Sequence, residues 1–138
     1  MPLGAPHLRG GREPARVVVC HCDDCRILSG APLRALVVVP VDRFHLVGEP
    51  TRYVKVAQSG NRRIQAFCPE CGTPLFSAAE ENPTSVNIRL GCICQRAALT
   101  PSIQIRTRSS MPWLHALASI PGSAGQEIFA HPPVVHRT

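Results

Sequence analysis

The apolar residues of this chain fall into short runs broken at close intervals by Gly, Pro, Asn and Asp, with no long stretch of helical period. Residues 17–19 form a β-branched run, residues 36–39 form another that ends at Pro40, and residues 44–47 form a third before Gly48-Glu49-Pro50. Each reads as a strand closed by a turn or by proline's missing donor. Residues 51–56 and 62–67 alternate and read as a hairpin turning at Gln58-Ser59-Gly60-Asn61. Residues 75–76, 85–90 and 103–107 supply further strands, while residues 95–99 offer one helical turn, too short to stand without tertiary support. The pattern predicts an all-β domain of meander type over residues 15–131. An irregular Gly/Pro/Arg-rich lead-in at 1–14 precedes it and a Pro132-Pro133 tail at 132–138 follows.

Composition narrows this picture. A chain of 138 residues, 44% hydrophobic and 17% charged, is long enough for one core and too apolar for a disordered segment. It holds no run of eighteen apolar residues, and its start lacks the charged and apolar regions of a secretory signal, so a cytoplasmic location is expected and no membrane partner. The net charge of +6 is scattered without a basic block, which disfavours nucleic acid and leaves anionic small molecules as partners.

The seven cysteines change the picture most. In a reducing compartment they are unlike a disulfide framework, and their clustering points to metal. Cys68-Pro69-Glu70-Cys71-Gly72 is a zinc-knuckle sequence: two intervening residues let both thiolates reach one ion, and the glycine lets the backbone turn beneath them. It supplies two ligands and needs two more; the plainer alternative is a pair of buried reduced thiols. Cys20, Cys22 and Cys25 make a C-x-C-x2-C triplet on what reads as a loop between strands. Three protein ligands are the number found where zinc keeps a fourth position open, and the alternative is a closed site completed by His21 or a distant cysteine. Three thiolates leave zinc a poor acid for water, but such a site can bind and orient an incoming thiol. His21 lies between two proposed ligands and is left out of the set, because adjacent residues rarely all face one ion. Asp23 and Asp24 read as turn residues, and Trp113 as core or a pocket wall.

The run CHCDDCRILSGAP, the apolar strand LRALVVVP, the segment GEPTRYV, then FCPECGTPLF, VNIRLG and RTRSSMPWL together resemble the glutathione-dependent formaldehyde-activating enzyme family, whose domain the centromere-protein V proteins share. The resemblance implies a small zinc-organised all-β fold of stacked antiparallel sheets. It also implies a catalytic zinc at Cys20, Cys22 and Cys25, and a structural zinc to which Cys68 and Cys71 contribute. The implied reaction joins glutathione to formaldehyde as S-hydroxymethylglutathione, which would make the protein a carbon-sulfur lyase. The carboxylates of glutathione would then seek arginines, with Arg26, Arg34 and Arg89 as candidates against their reading as solvated surface charge. One departure stands out: the family's opening C-x-C, which completes the structural zinc, has no counterpart before Cys20. A late start of the chain is the expected explanation, and completion by Cys92 and Cys94 the alternative. A non-catalytic thiol carrier and a zinc-ribbon-like binding module are the rival functions, the second explaining the third thiol of the triplet poorly.

Overall fold

The structure, a computed structural model, describes residues 16–126, so the expected lead-in at 1–14 and tail at 132–138 lie outside the described residues. Seven strands follow in chain order: β1 (Arg16–Cys20), β2 (Arg34–Pro40), β3 (Thr51–Val56), β4 (Arg62–Phe67), β5 (Pro74–Ala79), β6 (Ser85–Arg89) and β7 (Ile103–Ile105). One short helix, α1 (Asp23–Ser29), joins β1 to β2. The fold is all-β, as the run lengths predict. The strands make a single sheet in the order β3-β4-β5-β6-β2-β1-β7, not two stacked ones. Every pair is antiparallel except β1 with β7, which run parallel because β7 arrives after a long excursion through 3-10 turns at Leu90–Cys92 and Arg96–Ala98, with no hairpin.

The expected strand at 44–47 does not form. Residues Val41–Arg43 make a 3-10 turn, and Phe44 and Leu46 then pack on the core without joining the ladder. The reason is topological: β2, from which this segment leaves, is already flanked by β1 and β6, so no free edge is beside it. Burial still anchors the segment, with Phe44 meeting Phe76 edge-on at a centroid distance of 4.8 Å.

Cross-strand register assigns the two faces. Val17 opposes Val37, Val37 opposes Ile88, Phe76 opposes Ile88 and Ala66 opposes Phe76, so one face is a continuous apolar row that packs with Ile93, Leu90 and Leu99 into the core. Successive residues point to opposite faces. The other face therefore carries Cys20 opposite Arg34, Leu36 opposite Arg89, and Gln65 opposite Ser77. Here polar groups replace the apolar row, and α1 leads out from the end of β1.

Helix α1 is closed at its C-terminus by Gly30 in the left-handed region, φ 62°, whose amide reaches back to the last-turn carbonyls. A Cβ there would meet no atom within 4 Å, so Gly30→Ala tests backbone strain alone. We expect a loss of about 1 kcal/mol, read as a lower urea midpoint at unchanged m-value.

Candidate active site

The triplet is built by a strand end and a helix start. Cys20 is the last residue of β1 and is buried, on the face of the sheet opposite the apolar core. Cys22 is the N-cap of α1, in extended conformation, and its sulfur accepts the Cys25 amide at 3.4 Å. Cys25 lies in the first turn of α1 and is half-buried, as is Cys22. The sequence reading of a loop is therefore corrected: Asp23 and Asp24 in the first turn favour the helix dipole, and Gly30 ends it, so the segment winds into a helix that brings Cys25 back over Cys20 and Cys22. The three sulfurs lie within 4.8 Å of one another, an arrangement that could hold a metal ion.

The electrostatics of the three thiols are unequal. Burial pushes Cys22 upward, but hydrogen bonds from the Cys25 amide and from the Cys25 and Cys20 thiols outweigh it and hold this thiol below its ordinary value. Burial pushes Cys25 strongly up, the charge of Arg34 opposing it. Arg63 and Arg89 also feel Cys25, so three arginines surround this corner of the cluster. Burial, and next the charge of Arg34, lowers Arg89 to about 10.

The neighbouring polar residues sort into clamps and unpartnered groups. His21 is buried, binds the Gln104 side-chain oxygen through Nε2 at 2.8 Å, and donates its amide to the Ile105 carbonyl at 3.2 Å; it fastens β1 to β7 and is absent from the sulfur group. Asp24 pairs with Lys55 at 3.3 Å and accepts the Gln58 amide, tying α1 to the β3–β4 hairpin. Arg26 is held by Asp23 and by the Ser109 carbonyl, which leaves it engaged within the protein. Arg34 and Arg89, by contrast, are only 5% and 7% exposed, so their reading as solvated surface charge is corrected. Trp113 is likewise corrected: it is 46% exposed and lines neither cavity near the cluster. Arg63 and Gln65 escaped the sequence reading. Their signal was two polar residues at alternate positions of β4, on the face opposite Ile64 and Ala66.

The knuckle sits at the end of β4. Cys68 is buried, Cys71 is exposed, and Gly72 at φ 71° returns its amide to the Cys68 carbonyl at 2.8 Å. The Cys71 sulfur meets the Thr73 hydroxyl at 3.0 Å. That contact first, then the Thr73 backbone and the Cys68 thiol, holds Cys71 below its ordinary value. Cys92 instead donates to the Pro74 carbonyl at 3.0 Å, and Cys94 is exposed. Among the described residues the triplet is the only group of three or more such ligands, so the alternative in which Cys92 and Cys94 close a four-thiol site with Cys68 and Cys71 is not formed.

Fold and site together define a small all-β protein with a part-buried three-thiol cluster and buried arginines on the same face of the sheet. The glutathione-dependent formaldehyde-activating enzyme family matches residues 6–109, three-quarters of the chain, and the chain belongs to that family. No curated protein matches it in a sequence comparison. Among the described residues no helix is long and apolar enough to cross a membrane.

Proposed function

We propose that this protein is a zinc-dependent carbon-sulfur lyase of the cytoplasm that forms or cleaves the S-hydroxymethyl adduct of glutathione and formaldehyde at Cys20, Cys22 and Cys25. The observation that carries the reading is the convergence of three sulfurs within 4.8 Å. Sulfurs of a tetrahedral zinc site, with Zn–S near 2.3 Å, are spaced roughly 3.8 Å apart, so small side-chain adjustments fit them to the ion, and a purely thiolate donor set suits zinc. Three protein ligands leave one position for a substrate. Zinc bound there would favour the thiolate form of an incoming thiol.

The chain's own residues do the rest. Cys20, at the end of a sheet strand, and Cys22 and Cys25, at the N-cap and in the first turn of α1, would hold the ion, Cys20 as the buried member and the other two nearer solvent. Arg34, Arg63 and Arg89 place positive charge behind the cluster, which lowers the cost of bringing an anionic thiolate there. In the forward direction the substrate thiol gives up its proton and its sulfur attacks the carbonyl carbon. The C–S bond forms, the carbonyl π pair moves to oxygen, and that oxygen takes a proton from solvent. The reverse reaction breaks the same C–S bond. Cys68 and Cys71 we assign to a second, structural ion, for which the described residues bring no third thiol.

Thiols add to formaldehyde unaided in water, so the test is acceleration. With zinc-loaded protein and 13C-formaldehyde, NMR exchange between free glutathione and its hydroxymethyl adduct should run faster than the uncatalysed rate by at least about 100-fold, the contribution of a single positioned catalytic element. Tight binding of glutathione with no acceleration would make the protein a thiol carrier. Binding neither would overturn the reading.

A further inference from the structure

Two buried arginines have no carboxylate counterion among the described residues. Arg34 and Arg89 are 5% and 7% exposed, and Nε and Nη2 of Arg34 and Nε and Nη1 of Arg89 are buried with no hydrogen-bond partner among the described residues. Arg89 has one neutral partner, donating from Nη2 to the Gln65 side-chain oxygen at 2.7 Å. Among the described residues neither arginine forms an ion pair with a carboxylate; the three pairs present are Arg26–Asp23, Lys55–Asp24 and Arg62–Glu80. A guanidinium taken out of water without a partner is costly, so such groups are normally paired or hydrogen-bonded.

Both arginines line the same cavity, of about 730 Å³, between β2 and the segment 90–97. Arg96 stands on its wall as a third cation, and among the described residues no Asp or Glu lines it. The sheet explains the juxtaposition. Leu36 opposes Arg89, and Arg34 is two residues before Leu36, so the two guanidinium groups rise from one face as diagonal neighbours, close enough for long side chains to converge. Cys20 opposes Arg34 in the next ladder, so the sulfur cluster adjoins one of the two arginines, although its three cysteines do not themselves line the cavity. Three thiolates around a divalent ion carry one net negative charge, too little to balance these arginines and Arg63 together.

We propose that Arg34 and Arg89 form a carboxylate-binding subsite that selects thiols bearing a carboxylate, the carboxylate lying between the two guanidinium groups while the sulfur of the same molecule reaches the cysteine cluster. The fork of each guanidinium suits a two-point contact with a carboxylate, and the unpartnered N–H groups supply the donors. The cavity volume falls in the range of small-ligand sites and exceeds what a bare ion needs. This inference rests on the thiol-binding reading above, and adds which feature of the thiol is recognised and by which residues.

The test uses S-methylglutathione, whose sulfur is capped, and its diethyl ester, which lacks both carboxylates, titrated calorimetrically into the full-length protein with and without zinc. The subsite requires the acid to bind at least about tenfold more tightly than the diester in both preparations, as expected for charged hydrogen bonds. It also requires that advantage to vanish in Arg34→Gln and Arg89→Gln and to survive in Arg62→Gln, whose partner is Glu80. Equal binding of acid and diester by the parent protein overturns the subsite even if the glutamine variants fail to fold. Retained preference in folded variants does so too. The two readings fail separately: acceleration of adduct exchange that ignores thiol carboxylates keeps the lyase and removes the subsite, whereas carboxylate-dependent binding without acceleration keeps the subsite and removes the lyase.

Discussion

Replacing Cys22 by serine is expected to abolish zinc retention and adduct exchange while leaving the fold in place. Serine is a good N-cap, and its hydroxyl can accept the Cys25 amide as the Cys22 sulfur does, so α1 keeps its start. The lost quantity is a soft anionic ligand, which a neutral hydroxyl does not replace. Loss of an outer partner of a metal ligand costs 10–100-fold in affinity, so loss of a ligand itself should cost at least roughly 100-fold. Elemental analysis after dialysis should show the parent's zinc reduced by one ion per chain, with exchange at the uncatalysed rate and an unchanged circular dichroism spectrum. Zinc that survives Cys22→Ser in full would remove the proposed active site.

The second large effect is expected from Ile88→Ala. Ile88 is 1% exposed in β6, a strand with neighbours on both sides, and its register partners on the core face are Phe76 and Val37. Strands paired on both edges cannot shift to fill the space, so the lost methylenes leave a cavity. The expected cost is about 2–5 kcal/mol, a large share of the roughly 5–15 kcal/mol that holds a typical domain folded. Urea unfolding of zinc-free protein should show the midpoint falling with the m-value unchanged. A loss below about 1 kcal/mol would contradict this packing.

The strands that were legible in the sequence are those whose pattern and boundaries act locally. Thr51–Val56 and Arg62–Phe67 alternate around a turn-forming tetrapeptide, and both are found at those bounds. The strand expected at 44–47 failed because its residues are as apolar as a strand's, and burial alone drew them onto the core; ladder membership depends on a free edge, which composition does not encode. Helix α1 was missed because seven residues give too little period to read, and its evidence is the pair of caps, Cys22 and Gly30. Trp113 misled for a related reason: a large aromatic is usually buried, but here the 3-10 segments near it stay at the periphery of the described fold.

The sequence alone pointed to the thiol cluster and the family it belongs to, because C-x-C-x2-C puts three thiols within six residues, and the turn of α1 then closes them to within 4.8 Å. It also determined the all-β class, through short apolar runs and frequent turn residues. Only the tertiary structure decided what faces the cluster. Arg34 and Arg89 are far apart in the chain, and their meeting depends on β2 pairing with β6 in one register; a slip of one residue would turn Arg89 to the opposite face, into the core. Register is set by the whole apolar row on that core face, so the position of these charges is a property of the sheet and not of any segment within it.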